Sequence, residues 1–413
     1  MVFLLIALFA VASLTLLAID GDDMDIWAFA MAGCIVAVLA AEYILFPVLF
    51  RHGDRSLLLI INMLAVLGLV FQYRLDPGTA FRQLAWFIVG LTVMGGVICF
   101  LSRWEGLEAG SWLYMGIGLA LLAASLVHGS TAGGAKSWVR ISEVLSIQPS
   151  EFAKVTLCLA LASVLREQRR FTGYLPLFAF VLLSVALLVV QKDLGAAALY
   201  YITFLGVLMV ATSNGWWVSA GLLGAAGGAV AAYHFFDHVR LRVSVWLDPW
   251  SLPDTGGYQI IQGLEAIARG GLLGAGLGQG FPTRIPAVRN DYIFAAICEE
   301  MGITAGIMVI AFYLILVVRG ALIARAARDS FGSLLAAGAT LMIAAQSFII
   351  IGGVLRMIPL TGITLPLVSY GGSSMLGTLM LCGILQAIAQ RNGIDRQCAR
   401  QVKAKRAAQG EEP

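Results

Sequence analysis

The chain has 413 residues, of which 60% are hydrophobic and only 12% are charged, at a mean hydropathy of +0.88. Soluble domains carry about 25% charged residues and lack repeated apolar runs of the roughly 18 needed to cross a bilayer, so a soluble multidomain protein is excluded. The net charge of +3 is too small to point to nucleic acid, and Cys34, Cys99, Cys158, Cys298, Cys382 and Cys398 form no CxxC pair or metal-spaced cluster.

Apolar runs and their breakers predict an all-α fold, a polytopic transmembrane helical bundle of about twelve spans. They lie near 2–19, 26–50, 56–73, 80–101, 111–128, 149–166, 173–190, 194–212, 215–233, 291–319, 332–353 and 363–388. The first run has no basic leader and is followed by acidic Asp20-Gly-Asp-Asp-Met-Asp25, so it reads as a retained helix, not a cleaved signal. Basic residues mark one set of connections: Arg51 and Arg55, Arg103, Arg166 to Arg170, Arg319 to Arg328, and the tail after Gln390. By the positive-inside rule both termini are cytoplasmic, and the large loop 234–290 is extracellular.

Ionisable groups at the edge of a span are costly, and they either pair or function. The first such island runs from Gly133-Gly-Ala-Lys-Ser-Trp-Val-Arg140 to Gln148-Pro-Ser-Glu-Phe-Ala-Lys154. Pro149 suits a first helical turn, Glu151 sits where the positive helix end favours an anion, and Lys154 follows at i+3. An anchoring ion pair and a substrate contact both fit that spacing. In Gln191-Lys-Asp-Leu-Gly195, Asp193 is placed either to cap the next helix or to line an outward cavity.

The third island is Arg289-Asn-Asp-Tyr-Ile-Phe294 with Glu299 and Glu300 two turns on. Asn290 or Asp291 has the chemistry of an N-cap, yet one cap does not need three acids; Glu299 or Glu300 can also pair with an arginine from another helix. Arg240, Arg242, Arg269, Arg284 and Arg289 in the large loop are candidate phosphate ligands. His234 and His238 stand at i, i+4 without a third metal ligand, and glycine-rich 270–280 follows no strand, which argues against a nucleotide loop.

These islands, in this order, resemble the SEDS family of cell-shape and division proteins, which includes RodA, FtsW and SpoVE. The matching stretches are Gly133-Gly…Trp138 with Gln148-Pro-Ser-Glu-Phe-Ala-Lys154, Gln191-Lys-Asp-Leu-Gly195, and His238-Val-Arg…Asp248-Pro249. They continue with Tyr258…Gln262…Ala266 and Gly270-Gly-Leu-Leu-Gly274, Asp291-Tyr-Ile-Phe…Glu299-Glu-Met-Gly302, and Pro359…Leu365-Pro-Leu-Val-Ser-Tyr-Gly-Gly-Ser373. The family usually has ten spans, so residues 1–55 read as two additional N-terminal helices, 56–390 as the SEDS-like core and 391–413 as a basic cytoplasmic tail. This chain has Arg289-Asn290 where the family commonly has His-Thr, and Lys192 where it has Pro.

The resemblance implies a peptidoglycan glycosyltransferase in the bacterial cytoplasmic membrane. It would polymerise lipid II into β-1,4 glycan strands, in complex with a class B penicillin-binding protein. Asp291 matches the family's catalytic acid and Glu151–Lys154 its supporting pair, with Asp193 and Glu299 as further supports. Displacement of an α-linked undecaprenyl diphosphate with inversion needs a base for the acceptor hydroxyl and cations for the leaving group. Lys136, Arg140, Lys192, Arg240, Arg242 and Arg289 are the cationic candidates, and a divalent cation, Mg2+ or Mn2+, stays open beside them. A lipid II flippase, a non-catalytic scaffold for a penicillin-binding protein, and another lipid-linked sugar ligase are the alternatives.

Overall fold

The structure, a computed structural model, describes all residues except 20–23, 104–105, 133–134, 141–145, 168–170 and 409–413. Its elements in chain order are α1 (Val2–Ile19), α2 (Ile26–Leu49), α3 (Arg55–Leu75), α4 (Pro77–Arg103), α5 (Ser111–His128), β1 (Gly129–Ala132), β2 (Ala135–Arg140) and β3 (Ser146–Ile147). There follow α6 (Pro149–Leu165), α7 (Phe171–Val190), α8 (Leu194–Thr212), α9 (Gly215–Phe235), α10 (Asp237–Leu247), α11 (Gly257–Gly270), α12 (Ile293–Ala326), α13 (Ser330–Val354) and α14 (Gly372–Ala408). Among the described residues 10 helices are long and apolar enough to cross a membrane. Two of the twelve expected spans fall short of that measure: α5, whose apolar stretch is shorter, and α6, a 17-residue helix buried along nearly its whole length.

Many predicted boundaries fall within a few residues of these helices because Asp and Asn cap them locally. Asp25, Asp54, Asp193, Asn214 and Asp329 each accept a backbone N–H in the first turn of the next helix. The centre of the bundle is α3, α6, α13 and α14, buried on almost every side, whereas α9 has no buried residue. In lipid, helix association rests on close packing, not on escape from water, so small residues sit at the contacts. At the α4–α14 contact a Cβ on Gly90 would stand 2.3 Å from Leu379 Cδ1.

Three features depart from the sequence reading. The connection between α5 and α6 forms a small antiparallel sheet in the order β1-β2-β3. The span expected at 363–388 starts only at Gly372, because residues 355–371 run non-helically through Pro359 and Pro366, with positive φ at Arg356, Gly362 and Leu367.

The span expected at 291–319 is broken at Gly302, where φ is 82° and ψ 169°. Broken helices survive at membrane depth only where the freed backbone groups find partners. Here the glycine-rich loop supplies them. Ile303 N–H donates to Gly271 O (2.9 Å), while the N–H groups of Ala275 and Gly276 reach Glu299 O (2.9 Å) and Glu300 O (3.0 Å). The sequence 270–280 is therefore a plug that fits the break in α12.

A Cβ at Gly302 would stand 2.3 Å from Leu272 O in a backbone region open essentially to glycine alone. Gly302→Ala is expected to cost at least about 1–3 kcal/mol, seen as a lower thermal unfolding midpoint of the detergent-solubilised protein. Gly227→Ala, where a Cβ would meet nothing within 4 Å, is expected to leave the midpoint unchanged or raise it.

Candidate active site

A cavity of about 760 Å³ opens at the end of the bundle that carries α10 and α11. Its lining comes from β2, the start of α6, the turn before α8 with the first turns of that helix, α10, the start of α11, residues 286–291 and the non-helical stretch 360–364. Five stretches far apart in sequence thus converge on one space. Three carboxylates face it: Glu151, Asp193 and Asp291.

Glu151 and Lys154 are both buried and tightly paired. Lys154 Nζ donates to both Glu151 oxygens (2.7 Å each) and to Gln346 Oε1 (2.9 Å), and Gln346 Nε2 donates to Thr364 O (2.8 Å). All three ammonium protons are satisfied, so the anchoring reading holds, and the pair also lines the cavity. Asp193 likewise serves in both places. Its carboxylate caps α8 through Ala196 N–H (3.1 Å) and accepts from Gln148 Nε2 (3.2 Å). Burial pushes the Asp193 carboxyl up, against the pull of the Ala196 N–H.

Asp291 is different. The N-cap of α12 is Tyr292, which makes no side-chain cap, so the cap reading of Asn290 and Asp291 is overturned. The Asp291 carboxylate makes no hydrogen bond or ion pair with any described residue, although the backbone that presents it is pinned. Tyr370 N–H and Gln72 Nε2 both donate to Arg289 O (2.9 and 3.0 Å), Ser369 Oγ donates to Asn290 O, and Asp291 N–H reaches Ala287 O (3.1 Å). Burial raises its pKa from 3.8 to about 6, with Arg242 pulling the other way.

Arg242 on α10 is the arginine of the large loop that faces this cavity. Its Nη1 donates to Leu360 O (3.3 Å) and Thr361 O (3.0 Å), and α10 is fastened to the same stretch by Trp246 Nε1 on Arg356 O (3.0 Å) and Arg356 Nε on Trp246 O (2.8 Å). Lys192, exposed at positive φ, and His238, whose Nε2 has no partner among the described residues, complete the polar rim. Burial, then Lys192 and Arg242, push the His238 imidazole down.

The other anticipated residues stand elsewhere. Arg240 is exposed beside His234 O (3.1 Å) and Asp237 (3.5 Å). Arg289 turns away to Asp76 (3.0 Å) and Thr79 (3.3 Å) at the α3–α4 turn. Arg140 lies exposed on β2 outside the lining, and the Lys136 side chain is outside the described residues. Glu299 is committed to Arg269 (3.0 Å) and Phe281 N–H (3.3 Å), and Glu300 to Arg74 (3.1 Å) and Gly278 N–H (3.0 Å), so both acids hold the plug.

Gln148 and Gln346 bear on the site and were not anticipated as site residues; a glutamine inside an apolar run is the signal that marks Gln346. Among the described residues no group of three or more His, Cys, Asp or Glu is placed to hold a metal ion. With Glu151 given to Lys154 and Asp193 to Ala196 and Gln148, the lining does not fit a resident Mg2+ or Mn2+.

Residues 45–393 match the model of the cell cycle protein family that comprises FtsW, RodA and SpoVE. Peptidoglycan glycosyltransferase RodA of Mycobacterium tuberculosis (strain ATCC 25618 / H37Rv) is 40% identical over 370 residues, covering 82% of this chain and 78% of its own. RodA of Mycobacterium leprae (strain TN) is 37% identical over 412 residues, covering 93% of this chain and 88% of its own. A chain from the solved structure of a peptidoglycan synthase complex that coordinates polymerization and crosslinking superposes with a TM-score of 0.70 at 28% identity, covering 82% of this chain and 98% of that one. The chain is a polytopic membrane protein and belongs to the FtsW/RodA/SpoVE family.

Two stability predictions follow from the carboxylates. Lys154→Met strands a buried Glu151 and is expected to cost about 3–5 kcal/mol, while the double variant Glu151→Gln/Lys154→Met costs less than either single change; a double-mutant cycle on thermal unfolding reads this. Because folding raises the Asp291 pKa from 3.8 to about 6, its ionisation opposes folding. The favourable contribution is complete below about pH 4 and is lost as pH rises through about 6. Asp291→Asn is therefore expected to be more stable than the parent by about 1–3 kcal/mol above pH 7, with the gap closing below pH 4.

Proposed function

We propose that this chain polymerises lipid II into glycan strands at the outer face of the bacterial cytoplasmic membrane, with Asp291 as the general base. The activity rests on family membership and on relatives at 40% identity that are peptidoglycan glycosyltransferases. The single observation that carries the base assignment is that Asp291 is the cavity carboxylate left without a partner among the described residues. A base must be free to take a proton, and Glu151 and Asp193 are already engaged.

Orientation follows from charge. The end opposite the cavity carries Arg51, Arg55, Arg103, Arg319, Arg325 and Arg328, which the positive-inside rule puts in the cytoplasm together with both termini. Residues 1–55 form an added helical hairpin, and the tail from 391 is cytoplasmic. The likeness to a complex that couples polymerization with crosslinking supports a class B penicillin-binding protein as partner.

The proton of the acceptor 4-hydroxyl passes to Asp291 as its oxygen attacks the donor C1 from the face opposite the diphosphate. The bond from C1 to the diphosphate oxygen breaks, and inversion gives the β-linkage. Arg242, held by two carbonyls through one nitrogen, and Lys192 at the rim receive the growing charge of the leaving group. Any Mg2+ or Mn2+ belongs on the diphosphate as part of the substrate, since the lining does not build a site for it.

Reconstituted protein given lipid II on the outer side is expected to make polymer with an acid limb near pH 6, the rate rising as Asp291 ionises. Asp291→Asn and Asp291→Ala are expected to lose at least about 100-fold in rate. Arg242→Gln is expected to move the acid limb to higher pH, and Arg242→Lys to keep most of its position. Undiminished polymer from the Asp291 variants would sink the base assignment, and transbilayer movement of lipid II without polymer would favour a flippase.

A further inference from the structure

A second cavity, of about 470 Å³, lies at the opposite end of the bundle, between the start of α3, the end of α12 and α14. The polymerisation scheme makes no use of it. Its polar wall is the turn 51–54, which α14 holds rigidly. His52 N–H donates to Gln390 Oε1 (2.7 Å), Asp54 N–H donates to Gln386 Oε1 (2.7 Å), and Gln386 Nε2 returns to Asp54 O (2.9 Å). Gly393 fits so closely that a Cβ there would meet His52 Cβ at 2.5 Å.

The charges in this wall are not balanced. The Asp54 carboxylate caps α3 through Leu57 N–H (2.9 Å) and is neutralised by Arg319, through Nε (3.1 Å) and Nη2. Arg319 Nη1 makes no bond among the described residues, and Arg55 makes no hydrogen bond or ion pair to any of them. Both arginines line the cavity, together with His52. The facing wall is apolar at Leu322, Ile323, Ala326 and Ala389, with Asn392 spent on Ile323 O (3.0 Å), and Leu322 is 46% exposed on the outside of the bundle, so the space communicates with the lipid-facing surface. One side thus offers the Arg55 guanidinium and Arg319 Nη1 without a bonded partner among the described residues, and the other an apolar edge open to the outside of the bundle.

We propose that this cavity seats the phosphodiester headgroup of an anionic phospholipid, with Arg55 and Arg319 on the phosphate and Leu322 beside the start of the acyl chains. Arginine suits phosphate because its planar donors address two oxygens at once, and basic pockets between spans are where anionic headgroups lodge. The inference needs only that the chain spans a membrane, so it stands or falls apart from the polymerase reading.

The test is native mass spectrometry of the full-length protein in detergent, titrated with phosphatidylglycerol or with phosphatidylcholine of the same acyl chains. One phosphatidylglycerol is expected to be retained in preference to phosphatidylcholine. Arg55→Gln is expected to weaken its retention about fivefold with an unchanged unfolding midpoint, because this side chain has no internal partner. Leu322→Trp, which fills the apolar side, is expected to weaken it as well. Arg103→Gln, an exposed arginine at the same end but outside the cavity, is expected to leave it unchanged. Equal retention of the two lipids, full retention in both Arg55→Gln and Leu322→Trp, or an equal loss in Arg103→Gln would overturn the site. Release of the lipid by millimolar inorganic phosphate would assign the cavity to a soluble phosphate and overturn the lipid.

Discussion

Burial without water is the constraint on which the rest of this structure depends, because a charged group taken between the helices is costly unless it meets a counterpart there. Lys154 meets it three times, in two carboxylate oxygens of Glu151 and the amide oxygen of Gln346. Glu299 and Glu300 meet it in Arg269 and Arg74. A buried ion pair adds little net stability over an apolar pair of the same shape, so its persistence points to geometry and not to fold strength. What the Glu151–Lys154–Gln346 chain fixes is the relation of α6 to α13, and through Thr364 O it fixes the non-helical stretch that forms the opposite side of the cavity.

The same constraint governs the backbone. Two stretches that a hydropathy reading runs together as helix are opened in the structure, at Gly302 and at residues 355–371, and in both the freed groups are taken up by other parts of the chain. The glycine-rich plug answers the break in α12. In the second stretch, carbonyls of Leu360, Thr361, Thr364 and Pro366 accept from Arg242, Gln346 and Tyr313. Irregular backbone at that depth is tolerated where it is buried in protein or lines a cavity, and this stretch does both.

That pattern explains what was legible in the sequence. Span positions and caps were legible because hydropathy and an Asp or Asn before a helix are local signals. The acids Glu151, Asp193 and Asp291 were legible because a charge at the edge of an apolar run stands out. Arg242 was one of several equivalent loop arginines until α10 was placed against residues 360–361, and nothing in its neighbourhood distinguished it from Arg240 or Arg289. The break at Gly302 and the delayed start of α14 were hidden for the same reason. Their hydrogen bonds join residues far apart in sequence, and the glycine that permits the break looks like any other small residue in a span.

The unpartnered state of Asp291 then reads as a feature the rest of the site maintains. The backbone just before it is held from two sides, by Gln72 on α3 and by Ser369 and Tyr370 in the stretch before α14, which fixes where the carboxylate is presented. Arg242, the cation that lowers its pKa, is itself occupied by two carbonyls and does not close into an ion pair with it. A closed pair would hold Asp291 ionised but poorly basic, whereas burial without the arginine would hold its pKa higher. An arginine near but not bonded leaves the acid ionised at neutral pH and still able to take a proton, at the cost of stability that an amide in its place would recover.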